Sequence, residues 1–304
     1  MIGVLPVEKP AGPSSHQVVA RLRRTLGTRR IGHTGTLDPF ASGLLVCLVG
    51  EATRLSEFMS VLDKEYEAEA RLGWVTDTED PEGQLLDEND AWRALSMQDV
   101  REALAGFVGV QLQRPSTFSA KKRDGETAYA RARRGEAVEL DPVPVVIHEI
   151  EWLPSELPFV RFRVRCGAGT YIRALARDLG EALGTGASLV TLRRTRVGPF
   201  GLEDALPERH LDHREEAVQR ILPPLSGVSG FPVHAIDAVA SAKIRLGQKI
   251  SRGDLPGEIE GLVVLMENGE LVAIGETLPP WEGKPGGIRP KKVFPPEGMA
   301  RDDA

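Results

Sequence analysis

Sulfur and aromatic side chains are scarce in this chain. Only 5% of its 304 residues are aromatic and two are cysteine, Cys47 and Cys166, far apart and each inside an apolar stretch. Such thiols read as buried and free; they form no CxxC pair and imply neither a disulfide scaffold nor a metal site. The six histidines offer one close pair, His210 and His213, with no third ligand nearby, so zinc is not indicated. No GxSxG elbow, GxGxxG turn or P-loop occurs, which sets aside triad hydrolases and nucleotide-triphosphate sites. No run approaches the roughly 20 apolar residues of a membrane span. The opening MIGVLPVEKPAGPSS reaches Glu8, Lys9 and Pro10 too soon for a signal peptide, so a cytoplasmic location is expected.

With 41% hydrophobic and 27% charged residues, the chain can bury a sizeable core, and its length suggests two domains. The net charge of -6 argues against a polyanionic partner until its distribution is read. Acidic residues crowd between 63 and 90. Basic residues gather in four runs: Arg21, Arg23, Arg24, Arg29 and Arg30; Lys121, Lys122 and Arg123 with Arg131, Arg133 and Arg134; Arg161, Arg163 and Arg165; and Arg193, Arg194 and Arg196. Any one run reads as a solvated face. Four together make a phosphate-contacting surface plausible, since the arginine fork suits phosphate and stacks on bases.

Apolar spacing predicts an amphipathic helix over HQVVARLRRTLG, opened by Ser14 and Ser15, with Val18, Val19, Leu22 and Leu26 on one face and Gly27 as its stop. GLLVCLVG reads as a buried strand, and EATRLSEFM as helical. Alternation at 65–73 and 159–166 predicts half-buried strands, with a helix at 97–107 between them. TYIRALARDLGEAL has helical period with Thr170 as a candidate N-cap; SLVTLRRTRVG reads as a strand and 213–221 as a short helix. No regular βαβ alternation and no repeat appears. The first domain is expected to be α+β and to end between 199 and 232. Beyond it, Asn268 and Gly269 between two apolar runs signal a hairpin in a small β domain near 233–296.

The loop IGHTGTLDPFASGLL, residues 31–45, is the most unusual stretch. Asp38 sits there before Pro39, among Gly32, Thr34, Gly35 and Thr36, between a basic helix and a buried strand. That is where a rigid loop presents a side chain, although composition alone favours an ordinary Asp-Pro turn. Four stretches then combine in order: VEKPAGPSS; GHTGTLDPFASGLL; KEYEAEARLG; and CGAGTYIRALARDLG with LVTLRRTRVG. Together they resemble the TruB family of tRNA pseudouridine synthases along nearly the whole chain. LGQKI to IRPKKVF resembles a PUA-type RNA-binding domain.

The resemblance implies a pseudouridine synthase fold, a mixed and largely antiparallel sheet flanked by helices. It implies a catalytic domain at 1–230 with an RNA-contacting segment near 114–134, and a PUA-like domain at 231–304. The activity implied is isomerisation of uridine 55 in the T loop of tRNA, by base flipping and cleavage and rejoining of the glycosidic bond, with no cofactor or metal. Asp38 falls at the catalytic aspartate, Tyr66 at the tyrosine that stacks on the base, and Arg173 at the arginine that pairs with the aspartate. His33, Tyr171 and Leu192 fall at substrate-contacting positions. Arg173 is expected to depress the pKa of Asp38 and keep it ionised. The same carboxylate would serve attack on the sugar, attack on the base, or removal of a sugar proton.

Phe118 stands where the family commonly has tyrosine, and the tail after 296 has no clear counterpart. Taken singly, Tyr66 and Leu192 read as packed residues, Arg173 as a surface helix arginine and His33 as a loop histidine. The partner expected is the T stem-loop of tRNA, the chain acting as a monomer, with no membrane and no protein partner. A non-catalytic RNA-binding or RNA-folding protein on the same scaffold is the alternative.

Overall fold

The structure is a computed structural model that describes residues 1–116, 122–123, 126–127, 140–251, 260–280 and 286–296. Its first element is strand β1 (Gly3–Lys9), followed by helix α1 (Ser15–Leu26). The helix starts where the sequence says it should: the Ser14 hydroxyl accepts from the N–H of Gln17 while the Gln17 side chain accepts from the N–H of Ser14. It stops at Gly27, whose φ of 65° lets its N–H turn back onto the last carbonyls. Val18, Val19, Leu22 and Leu26 pack on Leu5, Val7, Leu45, Cys47 and Val49.

Strand β2 (Ile31–His33) leads through the site loop into β3 (Ser42–Val49). β3 is apolar without alternation because both its faces are covered. Leu45, Cys47 and Val49 face α1, while Leu44, Val46 and Leu48 face a second core with Leu55, Phe58 and Met59. The stretch read as one helix, 51–59, is a 3-10 turn over Gly50–Leu55 and a five-residue α2 (Ser56–Ser60). β4 (Lys64–Leu72) follows, then a small ribbon of β5 (Trp74–Thr76) and β6 (Leu85–Glu88), helix α3 (Met97–Ala105) and β7 (Gly109–Gln113). β8 (Lys122–Arg123) pairs with β9 (Glu126–Thr127); the rest of the expected RNA-contacting segment from 117 to 134 lies outside the described residues.

β10 (Val143–Leu153), β11 (Phe159–Cys166), helix α4 (Ile172–Ala182), β12 (Ala187–Val197) and β13 (Phe200–Gly201) complete the main sheet. Its order is β1-β3-β12-β4-β11-β10-β7, with β2 on β3 and β13 on β12; every pairing is antiparallel except β3 with β12. The expected α+β class with a mixed, largely antiparallel sheet is the one found. At α4 the expected cap differs: Tyr171 occupies the N-cap position without a side-chain cap, and the Thr170 hydroxyl donates to the carbonyl of Gly167 instead.

Alternation on β4 and β11 sorts their faces. Tyr66, Ala68, Ala70 and Leu72 join Val160, Phe162, Val164 and Cys166 under α4. On the other face Glu65, Glu67 and Glu69 lie opposite Arg165, Arg163 and Arg161. Arg163 reaches Glu67 at 2.8 Å and Glu151 at 2.5 Å, and Arg161 lies 3.7 Å from Glu69. Arg193 pairs with Glu8 and Arg196 with Glu203. In the two basic runs that could have formed a phosphate surface, every arginine but the buried Arg194 is therefore matched to a carboxylate, each exposed pair contributing about 0.2 to 1 kcal/mol.

After helix α5 (Arg214–Gln219), a second sheet of order β14-β16-β17-β18-β15 is built from β14 (Val233–Ala235), β15 (Ile250–Ser251), β16 (Leu262–Glu267), β17 (Glu270–Leu278) and β18 (Gly287–Val293), with α6 (Ala238–Arg245) against it. The predicted hairpin is present, and Asn268 and Gly269 take φ of 49° and 86° at its turn. Val264, Ile274 and Phe294 of this unit share a core with Val4, Leu44 and Val228. Of its basic residues, Arg289 and Lys291 engage Glu276, and Lys292 engages Glu57 of α2.

Gly43 marks where the site loop becomes β3. Its φ is 103°, and a Cβ there would meet the Arg194 carbonyl oxygen at 2.3 Å and nitrogen at 2.7 Å. Gly43→Ala is therefore expected to cost about 3 kcal/mol or more in urea unfolding. Gly32→Ala, whose Cβ would meet nothing nearer than 3.9 Å, should stay within about 1 kcal/mol of wild type.

Candidate active site

The loop before β3 is held by its backbone. Ser15, fully buried at the start of α1, donates its hydroxyl to the carbonyl of Leu37 and accepts the Leu37 N–H, both at 2.9 Å. Lys9, fully buried at the end of β1, donates to the carbonyls of Ala41 at 2.6 Å, Pro10 at 2.9 Å and Pro39 at 3.1 Å. The N–H of Gly12 also donates to Pro39, at 2.8 Å. Arg194 of β12 donates to the carbonyls of Leu44 at 2.8 Å and Gly35 at 3.0 Å. Asp38 lies between two pinned neighbours, Leu37 and Pro39. Burial lowers the pKa of Lys9 to about 8, with the charge of Asp38 opposing.

Arg173, in the first turn of α4, meets the Asp38 carboxylate with two nitrogens, Nε at 3.0 Å from Oδ2 and Nη2 at 3.3 Å from Oδ1. Its Nη1 reaches the Thr78 carbonyl at 2.9 Å and Asp80 Oδ2 at 3.3 Å. The Arg173 and Asp80 side chains are each 5% exposed, and the remaining Asp80 oxygen accepts from Thr78 Oγ1 at 2.5 Å and the N–H of Glu82 at 3.0 Å. One guanidinium thus ties together the site loop, α4 and the turn after β5, and its reading as a surface arginine is excluded.

The expected depression of the Asp38 pKa is not what this geometry gives. Burial pushes Asp38 up, Arg173 pulls it back, and Asp80 adds to the rise. A guanidinium shared with a second carboxylate offsets only part of the desolvation. About a third of the Asp38 side chain remains open, and it opens into a cavity of about 340 Å³ walled by Lys64, Tyr66, Tyr171, Leu192 and Arg194 among others.

Tyr66 stands on the inward face of β4, and burial raises its pKa, with Arg194 partly opposing through its charge and a hydrogen bond. The phenol therefore enters any reaction in its neutral form. Tyr171 is locked by its backbone: the buried amide of Gln113 accepts its N–H at 2.8 Å and donates to its carbonyl at 3.0 Å. Leu192 closes the wall from β12. Five of the six expected site residues thus share one cavity. His33 does not line it; its ring lies 5.5 Å from that of His16, edge to face. Burial, then His16 and Arg194, lowers the His33 pKa to about 4.

The model of the TruB family pseudouridylate synthase N-terminal domain matches residues 23–172, and that of the tRNA pseudouridylate synthase B C-terminal domain matches 173–227. A tRNA pseudouridine synthase B of Synechococcus sp. (strain WH7803) is 40% identical over 98% of this chain and 99% of its own. The protein of the same name from Burkholderia mallei (strain NCTC 10247) is 44% identical over 85% of this chain and 87% of its own. This chain belongs to the TruB family.

Among solved structures, a Cbf5-Nop10-Gar1 complex contains a chain 30% identical to this TruB-family protein, with a TM-score of 0.75, covering 97% of this chain and 85% of that one. An H/ACA RNP bound to a substrate RNA containing 2'-deoxyuridine gives 28% identity and a TM-score of 0.73, covering 97% and 86%. Four components of the TruB-type cavity and its frame escaped the sequence reading: Lys9, Lys64, Asp80 and Arg194. Arg194 was grouped with Arg193 and Arg196 as surface charge. Its place two residues after Leu192, on the same strand face as Tyr66's neighbours, was the available signal. Among the described residues no group of three or more His, Cys, Asp or Glu could hold a metal ion.

Removing Arg173 would leave Asp38 and Asp80 without their shared cation. Arg173→Met is expected to cost about 3 to 5 kcal/mol at pH 7 by chemical denaturation, and less as the pH falls and Asp38 takes up its proton. Asp38→Asn should act in the opposite sense. A carboxyl whose folded pKa lies above its unfolded value contributes stability below that unfolded value and loses it as pH rises through the folded pKa. Thermal melts should therefore place Asp38→Asn at or above wild type at neutral pH, with the advantage vanishing in acid; a lower melting temperature at neutral pH contradicts this balance.

Proposed function

We propose that this protein converts uridine 55 in the T loop of tRNA to pseudouridine, with Asp38 as the catalytic carboxylate. The observation that carries the reading is the Asp38–Arg173 pair at a cavity walled by Tyr66, Tyr171 and Leu192. The relatives' shared name, tRNA pseudouridine synthase B, supports tRNA as the substrate. A base removed from its stack needs a flat apolar face, and the Tyr66 ring offers one whatever the neighbouring sequence. Tyr171 and Leu192 complete that slot, and His33 would contact RNA outside it.

Asp38 must lose its proton to act, whether it attacks the sugar, attacks the base or removes a sugar proton. Burial opposes ionisation and Arg173 favours it, so the balance between them sets the acidic limb of the rate. The residues proposed for this work lie in a synthase unit at 1–230, with 231–304 as a PUA-like unit and 114–134 as an RNA-contacting segment. The protein is read as a cytoplasmic monomer that needs no cofactor. Among the described residues no helix is long and apolar enough to cross a membrane.

Purified protein incubated with unmodified tRNA should place pseudouridine at position 55 and nowhere else when mapped at single-nucleotide resolution. Asp38→Asn, nearly isosteric, should abolish turnover while leaving tRNA affinity within a few-fold. Turnover above a few per cent in that variant would remove Asp38 from the chemistry, and a wild type that binds tRNA without product would favour the RNA-folding alternative. Arg173→Lys should keep partial activity, and Arg173→Met should lose more, with its acidic limb displaced to higher pH.

A further inference from the structure

Two cations of the cavity wall have no part in holding Asp38 ionised. Lys64, at the start of β4, spends two of its three N–H bonds on the carbonyls of Ser60 and Leu62, each at 2.6 Å. Among the described residues it has no further hydrogen bond and no ion pair. Arg194 likewise meets carbonyls and the Tyr66 hydroxyl but, among the described residues, no carboxylate within ion-pair distance. Both flank Gly35: a Cβ there would lie 3.6 Å from Arg194 Nη1 and 4.0 Å from Lys64 Cε. The carboxylates of the site, Asp38 and Asp80, are gathered on Arg173. The site thus carries two kinds of charge: carboxylates gathered on Arg173, and two wall cations, Lys64 and Arg194, that among the described residues have no carboxylate in ion-pair contact, Arg194 against the Tyr66 hydroxyl.

We propose that Lys64 and Arg194 together stabilise the negative charge that develops on the uracil ring when its glycosidic bond breaks. The inference rests on the pseudouridine reading above. The N1–C1′ bond breaks with its electron pair left on the uracil, C5 then bonds to C1′, and the proton lost from C5 is balanced by one gained at N1 through solvent. No oxidant or reductant is required. Between those steps the detached ring carries a charge spread over N1, O2 and O4, while Tyr66 offers it a face but no cation. Fixed donors aimed at charge that exists only in the transition state or intermediate act on rate rather than on binding.

Lys64 is suited to such a role because it brings a cation with one N–H bond unspent to the cavity wall, and burial first and Arg194 second lower its pKa to about 8, so that this charge is lost at alkaline pH. The groups facing it are Arg194 on β12, Cys166 on β11 and Asp63 at the foot of β4, the last engaged with His148 at 3.2 Å and Arg165 at 4.0 Å. Lys9 also titrates near pH 8, so an alkaline limb in the wild type is assigned by substitution rather than by position.

The test is single-turnover pseudouridine formation in saturating unmodified tRNA, from pH 6 to 10, for wild type, Lys64→Met and Lys64→Arg, with tRNA affinity and melting temperature measured alongside. Lys64→Met should slow the saturating rate by about 10²-fold while changing affinity less than threefold. Lys64→Arg should recover much of the rate and carry an alkaline limb moved upward, because a guanidinium keeps its proton. A Lys64→Met rate equal to wild type, or a loss confined to affinity, overturns the proposal. Should Lys64→Met fail to fold, an alkaline limb in Lys64→Arg unmoved from wild type overturns it. Absence of pseudouridine from the wild-type reaction overturns the parent reading and this proposal with it, whereas product from the wild type together with an unslowed Lys64→Met overturns the proposal alone.

Discussion

Backbone carbonyls gathered by buried cations are the constraint on which this site depends. The loop that carries Asp38 has little regular structure to satisfy its polar groups, and the carbonyls of Gly35, Leu37, Pro39 and Ala41 find their donors in buried side chains instead. Lys9 and Arg194 supply donors from opposite sides, and Ser15 closes Leu37 from both its N–H and its carbonyl. Burying a lysine is unfavourable unless its donors are used, and here all three of its N–H bonds have carbonyl partners. The loop and the cations therefore depend on each other: neither is tenable in the interior alone. Because β1, α1 and β12 each contribute one anchor, the position of the carboxylate is fixed only when strands distant in sequence have come together.

Much of the fold was legible in the sequence because most elements meet a single environment. α1 has one apolar face, and Ser14 and Gly27 at its ends; β4 and β11 alternate because one face is core and the other is water. The hairpin at Asn268 and Gly269 follows from the φ those residues tolerate. Thr170 misled because its hydroxyl finds the nearby Gly167 carbonyl, leaving the helix to start at Tyr171 with a tertiary partner, Gln113, in place of a local cap. Nothing local predicts that partner, which comes from a strand 58 residues away.

The site divides in the same way. Asp38, Tyr66 and Arg173 were found through ordered motifs, and their convergence is visible only in three dimensions. Arg194 escaped because a charged residue within RRTR reads as exposed, whereas its strand position turns it inward between Arg193 and Thr195. Asp80 escaped within an acidic turn of mixed burial, in which Asp77 and Glu82 are exposed while Glu79 is largely covered against Arg177. The direction of the Asp38 pKa was not legible for a related reason: the pairing with Arg173 follows from the motifs, but the burial that outweighs it, and the second carboxylate, Asp80, that adds to the rise, come from the tertiary fold.

The carboxylate ladder on the open face of the main sheet bears on how such a protein would hold a polyanion. Arginines already engaged with Glu8, Glu67, Glu69, Glu151 and Glu203 would have to leave those carboxylates before they could neutralise phosphates. Association with RNA releases counterions in proportion to the phosphates that protein cations neutralise, and this sets how steeply affinity falls with ionic strength. On the proposed reading, a face whose positive charges are spent internally contributes little to that slope. Discrimination among RNAs then falls to the shape of the fold around the flipped nucleotide, and the interaction stays serviceable at salt concentrations that strip proteins relying on bare basic patches.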